Sequence, residues 1–307
     1  MLIMKIPWNT ASMILRTRKI LTLLPPAAAT IFFALLVTFT SPSARAQSGA
    51  NASDPNFEHP NRIITVHLEG RSISGLASHL KDAKSLRRGV VLFPGYPGII
   101  RLREEDGVIR FEQRGNFLVR SRRHWLDDET VTLVADAPTD QWIAFGQRFR
   151  ETPRYGADLA ALVNEASRIY GVQDWTFVGT SEGSVTAYHA SRLNPGLARR
   201  IILTASVFLP SRGGPGLYGV SDWGKLPAPL LWVHHEDDPC PYTAYRIARE
   251  FAAKSASPLI TMHGGGPGSG DACEARTAHG FAGVEEETIV AMRAWVRTGV
   301  VTAQEGK

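Results

Sequence analysis

The sequence predicts an α/β architecture: a mostly parallel central β-sheet with helices on both faces. Two observations carry this. Short apolar runs of strand length recur along the chain and are apolar at nearly every position, as strands buried on both faces must be. Between them lie longer stretches with apolar residues at helical spacing, and such alternation builds a covered parallel sheet.

In chain order, Ile63–Leu68 alternates like a strand. Gly89–Phe93 is a continuous apolar run stopped by Pro94-Gly95, and Thr130–Ala135 is another, stopped by Asp136-Ala137-Pro138. Ala157–Tyr170 carries Leu159, Leu162, Val163, Ala166 and Ile169 on one helical face and ends at Gly171. Trp175–Val178 reads as a strand and Val185–Leu193 as a helix closed by Pro195-Gly196. Strands Ile201–Thr204 and Leu230–Val233, a helix over Tyr245–Ala253, a strand Leu259–Met262 and a helix Glu285–Val296 complete the pattern. No repeat or second linker interrupts it, so one domain over 61–300 is expected, after a Ser/Asn/Pro/Gly-rich flexible segment at 47–60.

The first 46 residues are set apart by composition. They hold Lys5, Arg16, Arg18, Lys19 and Arg45 with no acidic residue, then an apolar run centred on Ile31–Val37, then Ser41-Pro42-Ser43-Ala44-Arg45-Ala46. That is the layout of a secretory signal peptide cleaved after Ala46. An exported protein, periplasmic or secreted and without a stable membrane span after processing, is expected; an uncleaved signal anchor is the rival reading. The chain's net charge of +5 comes from this segment, because the remainder holds 29 basic and 29 acidic residues. Nothing therefore argues for a nucleic-acid partner, and the arginines between Arg110 and Arg123 read as a solvated face. The two cysteines, Cys240 and Cys273, form no metal-ligand cluster, so no metal and no cofactor are expected. In an exported chain an even count predicts a Cys240–Cys273 disulfide.

In α/β sheets of this kind the chemistry sits at the carboxyl ends of the strands. There the sequence places Gly179-Thr180-Ser181-Glu182-Gly183, between a strand and a helix. So tight a turn exposes the Ser181 hydroxyl, and the glycines avoid clashes. A serine needs a base before it can act as a nucleophile. His279 lies in a Gly-rich loop between the last strand and the last helix; His263, at the end of that strand, is the alternative. The carboxylate to orient the base comes from Glu236-Asp237-Asp238, directly after Leu230–Val233, with Asp238 favoured for its place before Pro239 and Asp237 the alternative.

Phe93-Pro94-Gly95-Tyr96-Pro97-Gly98, Gly179 to Gly183, Asp238 and His279, in that order, resemble the α/β-hydrolase superfamily over nearly all of 63–298. The resemblance implies a catalytic triad Ser181, Asp238, His279. It also implies an oxyanion hole from the N–H of Tyr96 and of Glu182, with Pro94-Gly95 where His-Gly is common. The implied activity is hydrolysis of a carboxylic ester or related acyl bond on a small-molecule acyl substrate. A serine peptidase or thioesterase would use the same residues, and a non-catalytic ligand-binding protein is the reading from another class. The interval Val207–Pro229 is too short for a large cap domain and reads as a small aromatic flap. Tyr96, Phe208 and Trp223 in that setting suit either an apolar acyl group or core packing.

Overall fold

The computed structural model describes residues 59–220 and 222–301. The signal-peptide segment at 1–46 and most of the flexible segment at 47–60 lie outside the described residues. In chain order the elements are β1 (Asn61–Leu68), β2 (Arg71–Ser78), β3 (Arg88–Phe93), β4 (Arg103–Glu105), β5 (Val108–Arg110), α1 (Phe117–Arg120), β6 (Thr130–Ala135), α2 (Gln147–Arg150), α3 (Pro153–Tyr170), β7 (Asp174–Thr180), α4 (Glu182–Leu193), β8 (Arg200–Thr204), β9 (Leu230–His235), α5 (Tyr245–Lys254), β10 (Leu259–Met262) and α6 (Glu285–Thr298).

Eight strands form one sheet in the order β1-β2-β6-β3-β7-β8-β9-β10. From β6 to β10 all neighbours run parallel, whereas β1 and β2 pair antiparallel and β2 meets β6 antiparallel. The sheet is thus mostly parallel, as the sequence predicts, with an antiparallel hairpin at one edge.

Period two along each strand explains the continuous apolar runs. Val91, Phe93, Phe177, Ile201, Leu203 and Trp232 face one layer, where α3, α4 and α5 pack. Val90, Leu92, Val178, Ile202, Leu231 and Val233 face the other, against α1 and α6. Strands β3, β6, β7, β8 and β9 therefore bury both rows of side chains.

Helix limits follow local chemistry. α3 begins where the Thr152 hydroxyl accepts from the Tyr155 N–H, with Pro153 in the first turn, and ends at left-handed Gly171. The aromatic flap expected at 207–229 is only partly there. Phe208 and Trp223 are buried core residues packed with Trp232 and Phe251, and of this interval Val207 and the tip Ser211–Gly213 face the pocket. No cap domain stands over the sheet among the described residues.

Candidate functional site

The carboxyl ends of β3, β7 and β9 open onto a cavity of about 900 Å³ whose walls include Tyr96, Asn116, Ser181, Tyr242 and His279. Ser181 is the single residue between β7 and α4, at φ 52° and ψ −124°. That left-handed φ is costly for a residue with a Cβ and persists only when the surroundings enforce it. Here they do. A Cβ on Gly179 would lie 2.1 Å from the Gly183 carbonyl oxygen, and one on Gly183 would lie 2.0 Å from that of Phe93. The turn can pass this close to β3 only with glycine on both sides of Thr180-Ser181-Glu182. The Ser181 N–H donates to the Thr204 carbonyl on β8 (3.1 Å), which pins the turn from the other side.

The acid and the histidine meet. His279 Nδ1 lies 3.1 Å from Asp238 Oδ2 and 3.3 Å from Oδ1. Asp238 has no exposed side-chain surface, so its charge needs internal donors. It has three: the Cys240 N–H (2.9 Å), the Thr243 hydroxyl (2.8 Å) and His279. This arrangement leaves His279 Nε2 as the nitrogen free for other work, with Nδ1–H held by the carboxylate. Ser181 and His279 line the same cavity without a hydrogen bond between their side chains.

The alternatives fall elsewhere. His263 is exposed and pairs with Glu236 at 2.5 Å. Asp237 is exposed, its N–H donating to His235 Nδ1. His234 and His235 belong to β9, which runs two residues beyond the predicted strand. His234 is fully buried under the Asp238–His279 pair, where desolvation lowers its pKa to about 4; its Nε2 accepts from the Ser206 N–H.

The Tyr96 and Glu182 N–H groups have no partner among the described residues. The Glu182 side chain turns away into a buried cluster: it accepts from Gln147 Nε2 (2.6 Å) and from the Ser211 hydroxyl, and so holds the wall at Ser211–Gly213. Arg150, also buried, donates to Thr186 Oγ1 on α4 (2.5 Å) and to the Pro97 carbonyl (2.9 Å). It therefore fixes the loop after β3 against the helix that begins at the serine. Asp136 does similar work, accepting from the Ile100 and Leu102 N–H groups (2.8 Å each), although burial raises its pKa to about 6.

Cys240 and Cys273 form a disulfide, with Cα atoms 4.6 Å apart, joining the loop of Asp238 to the loop of His279. Sequence reasoning did not reach Thr243, Arg150 or Gln147, whose partners are remote in the chain. Nor did it reach Asn116, although a Gly-Asn pair before the apolar run Phe117-Leu118-Val119 is an N-cap signal.

No family model matches the chain, and none of the curated proteins does. Solved structures do. Est1E from Butyrivibrio proteoclasticus is 15% identical, covering 76% of this chain and 97% of its own, at TM-score 0.53. The same protein with ferulic acid bound covers 76% of this chain and 99% of its own, at 15% identity and TM-score 0.54. The dienelactone hydrolase of Anabaena variabilis is 11% identical, covers 78% and 98%, and has a TM-score of 0.52. At such identities the likeness is one of fold.

Proposed function

We propose that this chain, which has the α/β-hydrolase fold, is a serine hydrolase that cleaves a carboxylic ester or related acyl bond. The observation that carries the reading is the strained Ser181 turn opening on the same cavity as the buried Asp238–His279 pair. Ser181 Oγ adds to the carbonyl carbon while its proton passes to His279 Nε2, and Asp238 stabilises the imidazolium so formed. The carbonyl π electrons move onto oxygen, where the N–H groups of Tyr96 and Glu182 meet the charge. Collapse of the adduct expels the alkoxide, which takes the proton from His279 and leaves an acyl-serine. Water, deprotonated by His279, then releases the acid and restores the serine.

The substrate in this reading is a small acyl compound. Tyr96 and Tyr242 stand half-exposed at the cavity mouth and offer aromatic surface to it; the neighbour that binds ferulic acid holds a ligand of that size and kind. The catalytic domain is assigned to 61–300, and export through the 1–46 segment fits the disulfide. Mature protein from an exporting host should begin at Gln47 by mass spectrometry; an intact N-terminus would favour the signal anchor.

The test is covalent. A fluorophosphonate should label wild-type protein on Ser181, and p-nitrophenyl esters should be turned over. Ser181→Ala should lose label and turnover with unchanged thermal unfolding. Retained turnover in the folded variant would refute the assignment.

A further inference from the structure

We propose that the Asn116 side-chain amide is a third donor to the oxyanion and hence a catalytic residue. This inference rests on the serine-hydrolase reading above. Asn116 lies in the turn before α1, and its Oδ1 accepts from the Leu118 N–H at 3.1 Å. A backbone donor can be met only by the amide oxygen, so this bond assigns the orientation of the carboxamide and sends Nδ2 the other way.

That nitrogen turns toward the serine. The space a Cβ on Gly95 would fill lies 3.1 Å from Ser181 Cβ, 3.3 Å from Asn116 Nδ2 and 3.4 Å from the Thr180 carbonyl oxygen. Glycine at 95 thus leaves open the gap between the serine and the amide, beside Tyr96. Among the described residues Asn116 Nδ2 donates to no group, and it is not sealed from solvent. It is an N–H donor with its geometry fixed at one end and a cavity at the other, which is what preorganised stabilisation of developing charge requires.

The turn is also held in place relative to the base. The Asn116 N–H donates to the Gln113 carbonyl at 2.9 Å. Arg120 donates to the Gly115 carbonyl (2.6 Å) and to the Gly280 carbonyl (2.7 Å), and pairs with Glu285 (2.8 Å). Those two carbonyls belong to the residue before Asn116 and the residue after His279. Phe117 and Phe281 pack 4.6 Å apart across the same junction. A helix cap alone has no need of a clamp to the histidine loop; a donor aimed at the reaction centre does.

The test separates cap from catalyst. Asn116→Ser and Asn116→Asp both keep an oxygen to accept from Leu118, and both remove the amide N–H at Nδ2, the serine hydroxyl being one bond shorter and standing at the cap. With p-nitrophenyl esters, kcat should fall on the order of a hundredfold in Asn116→Ser and further in Asn116→Asp, where a negative charge faces the oxyanion. KM should stay within about threefold of wild type, and the thermal midpoint of Asn116→Ser should stay near the wild-type value. Should one variant fail to fold, the other still reads the effect. A kcat within about twofold of wild type in a folded variant, or a loss confined to KM, overturns the proposal. Fluorophosphonate labelling of the wild type separates the two failures: a labelled, active wild type with an unaffected Asn116→Ser sinks Asn116 alone, whereas an unlabelled, inactive wild type removes the serine reading and this proposal with it.

Discussion

Replacing both Cys240 and Cys273 by alanine removes a cross-link between residues 33 apart in sequence. On the chain-entropy estimate for a loop of that length, the unfolded state gains freedom equivalent to about 3–4 kcal/mol. For a domain of this size each kcal/mol moves the thermal midpoint by about 2–4 °C, so a fall of about 10 °C is expected. The structure adds a local effect. Cys240 donates its N–H to Asp238, and Cys273 precedes the Thr277 turn whose hydroxyl meets the His279 N–H. Between Met262 and Cys273 the chain carries five glycines at 264, 265, 266, 268 and 270, so the disulfide is the one covalent tie backing the side-chain bonds His279–Asp238 and His263–Glu236 between the two loops. Ester turnover should therefore fall on the order of tenfold as the Asp238–His279 pair loses its register. The assay is calorimetry and p-nitrophenyl ester kinetics on the double variant, with reduced wild type as a second route to the same state. A midpoint within about 2 °C of wild type, with loss of the bond verified by peptide mass, would show that the tether adds nothing and refute the reasoning.

Two further outcomes are expected. His279→Ala should lower kcat nearly as much as Ser181→Ala, because in the proposed mechanism the two would act as a unit, while His263→Ala, which removes only an exposed pair with Glu236, should be mild; the opposite ranking in ester kinetics would transfer the role of base. For His234, the folded pKa of about 4 lies below the ordinary histidine value of 6.5, so the unfolded chain binds the proton first and stability is lost as pH falls below about 6.5. Asp136, raised to about 6, acts in the opposite sense over part of that range, so the contribution is read as a difference. Between pH 7 and pH 5, His234→Gln should lose about 2 kcal/mol less stability than wild type in urea unfolding, and parallel profiles would exclude the effect.

The parallel strands were legible because burial on both faces leaves no polar row: Val90 to Phe93 and Leu230 to Val233 are apolar throughout. β2 was not legible. Its sequence Arg-Ser-Ile-Ser-Gly-Leu-Ala-Ser looks half-polar, and it is buried because β1, β6 and α3 cover it; Gly75 there gives way to Leu133 and Leu162, whose side chains a Cβ would meet at 2.5 and 3.4 Å. α1 spans four residues, too few for a helical period to register. At the site, spacing singled out Ser181, and order along the chain narrowed the base. Asp238 is favoured over Asp237 by its place before Pro239, and the physical ground, that Thr243 and His279 approach this carboxylate, comes only with the fold. Arg120 and Arg150 carry no local signature, because each gains its meaning from groups brought up by distant strands and loops, and the local signature of Asn116 is that of a helix cap alone.

The crowding around the serine bears on how such a chain can diverge. At 179 and 183 any side chain would enter space already held by neighbouring backbone, so drift there is barred whatever the substrate; at 95 a Cβ would only press on Ser181 Cβ at 3.1 Å. Thr180 and Glu182, by contrast, meet their surroundings through side chains, and Glu182 does so through partners on α2 and the Ser211 loop that can change with it. On the proposed hydrolase reading, exchanging Glu182, Gln147 and Ser211 as a set is the route to a changed cavity wall while Gly179 and Gly183 stay fixed. A mutational library meant to retarget this cavity should spend its diversity on that set and leave the glycine frame alone.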